Sequence, residues 1–135
     1  NLGARVESLS KHYGTRLMCT QYTIDHISEE RRKEFTFRPV DYVRVKGKEK
    51  PVQLWEVIDK FHHLADDLKS LENSRTAWTL YQTQKFSEAI KLCDEILKKH
   101  PMEKVCKHIK EYCEEFLHMP PPPNWDGVKT HTSKG

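Results

Sequence analysis

Long apolar runs are missing from this sequence of 135 residues. A helix that crosses a bilayer needs roughly 20 consecutive apolar residues, and no segment approaches that, so no membrane contact is expected of this segment. The mean hydropathy is -0.81, and apolar residues (36%) barely outnumber charged ones (32%). Core-forming material is therefore thin for the length, which predicts an elongated or partner-supported structure. A strong charge of one sign is missing too. The net charge is +3, and most of the excess falls in residues 1–58, with 11 Lys/Arg against 8 Asp/Glu. That is too little for a general nucleic-acid footprint, so no nucleic-acid partner is expected.

Metal-type cysteine spacing is also lacking. The four cysteines, Cys19, Cys93, Cys106 and Cys113, form no C-x2-C pair, and no histidines stand at zinc-finger spacing. Cys93, Cys106 and Cys113 fall on the apolar stripes of predicted helices, where a thiol behaves as a small hydrophobe, so reduced thiols in the cytoplasm are expected. The chain opens on Asn1 with neither a Met nor a charged-then-apolar leader. A piece of a longer polypeptide, whose remainder can be membrane-anchored, is the expectation. G-x-x-x-x-G-K-[ST], G-x-G-x-x-G, G-x-S-x-G and H-E-x-x-H are all absent.

What is present falls into three regions. Residues 1–58 alternate helix and strand signals. Leu2, Val6, Leu9 and Tyr13 make a buried stripe on a helix over 1–13 that Gly14 can end. A strand over 16–20 follows, then a small helix capped by Thr23 and running to Ser28, then a solvated charge run, 29–34. Phe35–Arg38 and Val40–Val45 read as extended, with Pro39 marking a bulge or an edge. A turn over 46–51 and a strand at Val52–Ile58 complete a β-hairpin with a basic tip.

Residues 59–118 carry helical periodicity. Phe61, Leu64, Leu68, Leu71 and Trp78 form a heptad-like stripe with Arg75 as its interruption. Phe86, Ala89, Ile90, Cys93, Ile96 and Leu97 line a second helix that Pro101 terminates. Val105, Ile109, Tyr112, Cys113 and Phe116 line a third. Residues 119–135 form a polar tail opened by Pro120–Pro123, in which Trp125 is expected to dock onto the helices or a partner.

Two features carry chemistry. Asn1 and Arg5 stand one turn apart on one face at a helix N-terminus, where the dipole and free N–H groups favour an anion. An Arg fork can bridge two phosphate oxygens, and an Asn can orient a hydroxyl. The hairpin tip Val45-Lys46-Gly47-Lys48 offers lysine point charges beside a glycine that admits a ligand. By contrast His62-His63 reads as a surface pair on a helix, His100, His108 and His118 have no ligand spacing, and Asp66-Asp67 and Glu114-Glu115 read as solvated helix faces. No metal ligand is assigned.

Taken together, in this order and spacing, the two features resemble the class III nucleotidyl (adenylate/guanylate) cyclases. Asn1-Leu2-Gly3-Ala4-Arg5-Val6-Glu7 is similar to that family's N-L-x-x-R-[LVM]-[ED] helix. Tyr13-Gly14-Thr15-Arg16-Leu17 resembles the segment leading into its next strand. Phe37-Arg38, Val43-Arg44-Val45-Lys46-Gly47-Lys48, Pro51-Val52 and Trp55-Glu56-Val57 resemble its final hairpin. Phe86-Ser87-Glu88-Ala89-Ile90 through Leu97 and Pro101 is similar to the second helix of a tetratricopeptide-type repeat. Pro120–Pro123 with Asn124-Trp125-Asp126-Gly127-Val128 looks like the closing motif of the C-terminal extension in some bacterial members.

The resemblance implies an α+β fold: a partial ferredoxin-like cyclase half-domain over 1–58, then an all-α helical hairpin extension over 59–118 and the tail over 119–135. It implies a homodimer with active sites at the shared interface and a substrate of ATP, with GTP second. The ribose 3′-hydroxyl attacks the α-phosphate and pyrophosphate leaves, with two Mg²⁺ or Mn²⁺ ions stabilising the oxygens. On that match Asn1 positions the ribose, Arg5 stabilises charge on the α-phosphate, Lys46 binds the terminal phosphates and Lys48 supports it. The metal-binding aspartates have no match here, so the 135 residues alone are expected to be inactive. The rival reading is a non-catalytic cyclase-like scaffold whose helical module binds another protein.

Overall fold

The chain's structure is a computed structural model that describes residues 17–44 and 50–130. The chain divides into two units, Asn1–Asp59 with Gly127–Gly135, and Lys60–Asp126. The fold is α+β, a small sheet with two short helices in the first unit and three longer helices in the second. The helix predicted over 1–13 lies outside the described residues.

In the first unit, β1 (Met18–Thr20) leads directly into α1 (Gln21–Asp25). The cap is Thr20, whose side chain accepts the Thr23 N–H, rather than Thr23 as the sequence predicts, and the helix stops at Asp25 instead of reaching Ser28. Thr20 leaves the strand with extended backbone, which is the conformation an N-cap requires. Ser28 does the same for α2 (Glu29–Arg32) by accepting the Arg31 N–H. The charge run read as a connection is thus partly helical. Its acids sit in the first turn and its arginines in the last, matching the helix dipole.

The hairpin forms as its pattern predicts. β2 (Thr36–Arg44) pairs antiparallel with β3 (Val52–Ile58), β1 adds to the far side of β3, and β4 (Lys129–Thr130) runs parallel to β2. Arg38 lies opposite Glu56 and Asp41 opposite Leu54. Between those pairs two residues on β2, Pro39 and Val40, therefore face the single residue Trp55 on β3, a bulge. A proline donates no ladder hydrogen bond, so the irregularity falls where the backbone tolerates it. The extra residue shifts the alternation, so Arg38, Asp41 and Val43 all share the face of Leu54 and Glu56. Val40, Val43, Leu54 and Ile58 supply that unit's apolar core.

In the second unit, α3 (Leu68–Gln82), α4 (Phe86–Lys99) and α5 (Lys104–His118) follow in sequence, with α4 packed on both of the others. The heptad-like stripe does not hold. Residues 60–67 are turns rather than helix, and Phe61 and Leu68 are exposed while Leu64, Leu71 and Trp78 are buried. The buried face of α3 is Ser70, Leu71, Ser74, Ala77, Trp78 and Tyr81. It recurs at globular helix spacing and uses small polar residues where α4 and α5 crowd it. Ala89, Cys93 and Ile96 on α4 and Val105, Cys106, Ile109 and Cys113 on α5 complete the core.

The α3–α4 turn closes as a Schellman motif. Lys85 N–H reaches Leu80 O and Gln84 N–H reaches Tyr81 O, with Gln84 at φ 64, a conformation usually given to glycine. Trp125 docks on the helices: its ring lies 5.4 Å from Tyr81, 5.0 Å from Phe116 and 6.3 Å from Phe86.

Candidate functional site

All four sequence-predicted site residues, Asn1, Arg5, Lys46 and Lys48, lie outside the described residues. The strands that present the lysine tip are described. β2 runs to Arg44 and β3 begins at Val52, with Val43 opposite Val52 as the last pair before the tip. Lys50 and Pro51 lead into β3, Lys50 exposed and Pro51 half-buried.

A buried ion pair locks the register of these stems. Arg38 Nε and Nη2 each lie 2.7 Å from Glu56 Oε1, with the side chains 1% and 3% exposed. An ion pair taken out of water is stable only when its geometry is good, and a one-residue slip would part the two charges. The bulge is satisfied locally. Gln53 Nε2 donates to Asp41 O at 2.8 Å and to Leu54 O at 3.1 Å, while the Asp41 carboxylate accepts the Tyr42 N–H at 2.9 Å. On the opposite face Trp55 Nε1 donates to Gln21 Oε1 at 2.8 Å, tying α1 to β3.

The second unit holds a cluster that sequence spacing does not reveal. His62 and His63 stand in the turns before α3, their rings stacked at 4.2 Å, and His62 is buried rather than on a helix surface. The His62 ring is set by Leu64, whose N–H donates to Nδ1 at 3.0 Å. His63 Nε2 lies 2.6 Å from Glu103 Oε1. Glu103 is 1% exposed and caps α5, its Oε2 accepting the Cys106 N–H at 2.8 Å. His100, whose ring is 5.8 Å from that of His63, places Nε2 2.8 Å from Asp67 Oδ2. Asp67 caps α3 by accepting from Ser70 N and Ser70 Oγ. The His100 hydrogen bond, joined by those from Ser70, holds the Asp67 carboxyl well below the usual carboxylate range.

Two helix N-caps are therefore each bonded to a histidine. The residues span sequence separations of 33 and 40, which is why spacing could not assemble them. The one legible signal is that Asp67 and Glu103 each stand three residues before a helical N–H donor, the position of an N-cap.

The thiols offer no nucleophile. Cys93, Cys106 and Cys113 are buried thiols outside any disulfide, and burial pushes Cys113 up to about 12. Cys19 is half-buried, and desolvation raises its thiol as well.

Comparison with curated proteins finds 36% identity over 105 residues with the "Adenylate cyclase, terminal-differentiation specific" of Dictyostelium discoideum. The alignment takes in 72% of this chain and 5% of that protein's length. It supports a cyclase relationship for the chain. No protein-family model matches the chain, and no solved structure matches it.

Proposed function

We propose that this chain supplies part of the catalytic centre of a class III nucleotidyl cyclase, one that converts ATP to 3′,5′-cyclic AMP and pyrophosphate. The observation that carries the reading is the 36% identity to an adenylate cyclase across 72% of the chain. The N-x-x-x-R motif at Asn1 and Arg5 and the Val45-Lys46-Gly47-Lys48 motif, in the order that family uses, support it. In the reaction the ribose 3′-oxygen bonds to the α-phosphorus, the bond to the bridging oxygen breaks, and the 3′-hydroxyl loses its proton.

In this scheme Asn1 orients the ribose so that its 3′-oxygen faces the α-phosphate. Arg5 sets a bidentate guanidinium against charge that grows on the α-phosphate oxygens. Lys46 holds the terminal phosphates of the leaving pyrophosphate, with Lys48 in support. The register lock of Arg38 and Glu56 serves the same end from a distance, because it fixes the two strands between which Lys46 lies in sequence. The helical unit, whose second helix resembles that of a tetratricopeptide-type repeat, serves a protein partner, and the sheet unit works as a homodimer.

The Mg²⁺ or Mn²⁺ ions that the family resemblance implies do not fit this chain. Near the hairpin the buried carboxylates are Glu56, engaged with Arg38, and Asp41, which accepts the Tyr42 N–H. Neither matches the family's metal-binding aspartates, so no step is assigned to an ion here, and the 135 residues alone form no cyclic nucleotide. The test is Arg5→Ala in a protein that carries this segment together with a metal-binding half. It lowers kcat by about 10²-fold or more, the cost of one preorganised transition-state donor, with a smaller change in KM. A near-normal kcat overturns the assignment.

A further inference from the structure

We propose that His62, His63 and Glu103 form a binding site for one divalent transition-metal ion of the Zn²⁺ class. One ligand atom from each residue lies within 4.8 Å of the other two. Two imidazoles and one carboxylate are a ligand set that suits Zn²⁺ or Co²⁺, whereas Mg²⁺ demands oxygen ligands and keeps its waters.

The surroundings are those of a supported site. Glu103 is held by the Cys106 N–H on Oε2, which leaves Oε1 directed at His63. His63 is 27% exposed on its side chain, giving an ion a path in, while Glu103 and His62 are buried. Asp67 and His100 stand behind as a second carboxylate–imidazole pair, with the His100 ring 5.8 Å from that of His63. Three protein ligands leave one tetrahedral position for water or an exogenous group.

Loading rearranges two hydrogen bonds. The 2.6 Å contact between His63 Nε2 and Glu103 Oε1 opens to admit the ion, and any proton between them leaves. Because His62 Nδ1 accepts the Leu64 N–H, its neutral ring carries the proton on Nε2. An ion takes over the Nδ1 lone pair, or the ring releases Leu64 and turns. The ion then joins the turns before α3 to the N-cap of α5 across 40 residues of sequence.

Co²⁺ alone, titrated into the whole chain, tests the site by visible absorption. The expected result is one Co²⁺ per chain with the strong d–d bands of a four-coordinate site, displaced by Zn²⁺, and a Kd on the order of 10 µM or tighter. His63→Ala and Glu103→Gln each weaken binding at least about tenfold, whereas His108→Ala and His118→Ala leave it unchanged. Glu103→Gln keeps an oxygen for the Cys106 N–H, and His63→Ala removes the contact on Glu103 Oε1 but leaves Oε2 on the Cys106 N–H, so far-UV circular dichroism should report folded variants. Zn²⁺ also raises the Tm of the parent chain by about 5 °C or more, and does not raise that of His63→Ala. Absence of bound Co²⁺ at millimolar concentration, or stoichiometric binding that survives His63→Ala, overturns the proposal.

Discussion

Replacing Glu56 by Gln removes one charge from a deeply buried ion pair and leaves the Arg38 guanidinium at 1% exposure facing a neutral amide. Solvent screens so little of this pair that the surface value of an ion pair, about 0–1 kcal/mol, does not apply. Breaking a buried pair by changing one partner costs about 3–5 kcal/mol, because the remaining charge stays desolvated. A small domain has only about 5–15 kcal/mol of stability, so this is a large share of the total. With a urea slope near 1.5 kcal/mol/M, the midpoint falls by roughly 2 M or more.

The indole N–H resonance of Trp55 reports this unit, since Trp55 sits on β3 one residue from Glu56 and donates to Gln21. The urea titration should be followed through that signal. The double variant Arg38→Met/Glu56→Leu removes both charges and fills similar volume, and it should be more stable than Glu56→Gln alone. A loss below about 1 kcal/mol for Glu56→Gln refutes the argument that buried charge pins the register. So does a double variant no better than the single.

Two further stability tests address the helical unit. Trp125→Ala removes three aromatic contacts from a half-buried ring and should cost about 2–3 kcal/mol, while Trp125→Phe should recover most of it. Urea unfolding followed by far-UV circular dichroism measures this, and a change under about 0.5 kcal/mol means the ring does not anchor the proline segment. Gln84→Gly relieves the left-handed backbone at φ 64 but gives up two long contacts, at 3.5 and 3.4 Å, to Pro122 and Pro123 carbonyls. The net gain should be about 0.5–1 kcal/mol, seen as a rise of a few degrees in Tm, and a fall contradicts the Schellman reading.

Much of the fold was legible because it rests on period. β2 and β3 carry strand-like alternation that the bulge at Pro39 and Val40 interrupts; α4 and α5 carry three- and four-residue spacing ended by Pro101 and Pro120. The heptad-like stripe from Phe61 to Trp78 misled because its spacing was right and its backbone wrong. Turns occupy 60–67, so Phe61 and Leu68 point to solvent although they are apolar. The start of the first short helix shifted from Thr23 to Thr20, both of which carry a hydroxyl able to cap, and the caps Ser28, Asp67 and Glu103 begin helices whose starts the sequence pattern did not place. The buried charges of Arg38 and Glu56, and the histidine–carboxylate cluster, depend on contacts across 18 to 40 residues. Composition alone places such groups on the surface.

The central functional claim is that the helix bearing Arg5 and the hairpin bearing Lys46 hold one triphosphate between two subunits. A crystal structure of a catalytic dimer containing this segment, with a non-hydrolysable ATP analogue, tests it directly. The account predicts the Arg5 guanidinium at the α-phosphate and the Lys46 ammonium at the terminal phosphates of the same nucleotide. An analogue bound elsewhere, with those two groups on opposite sides and no cleft between them, would contradict it.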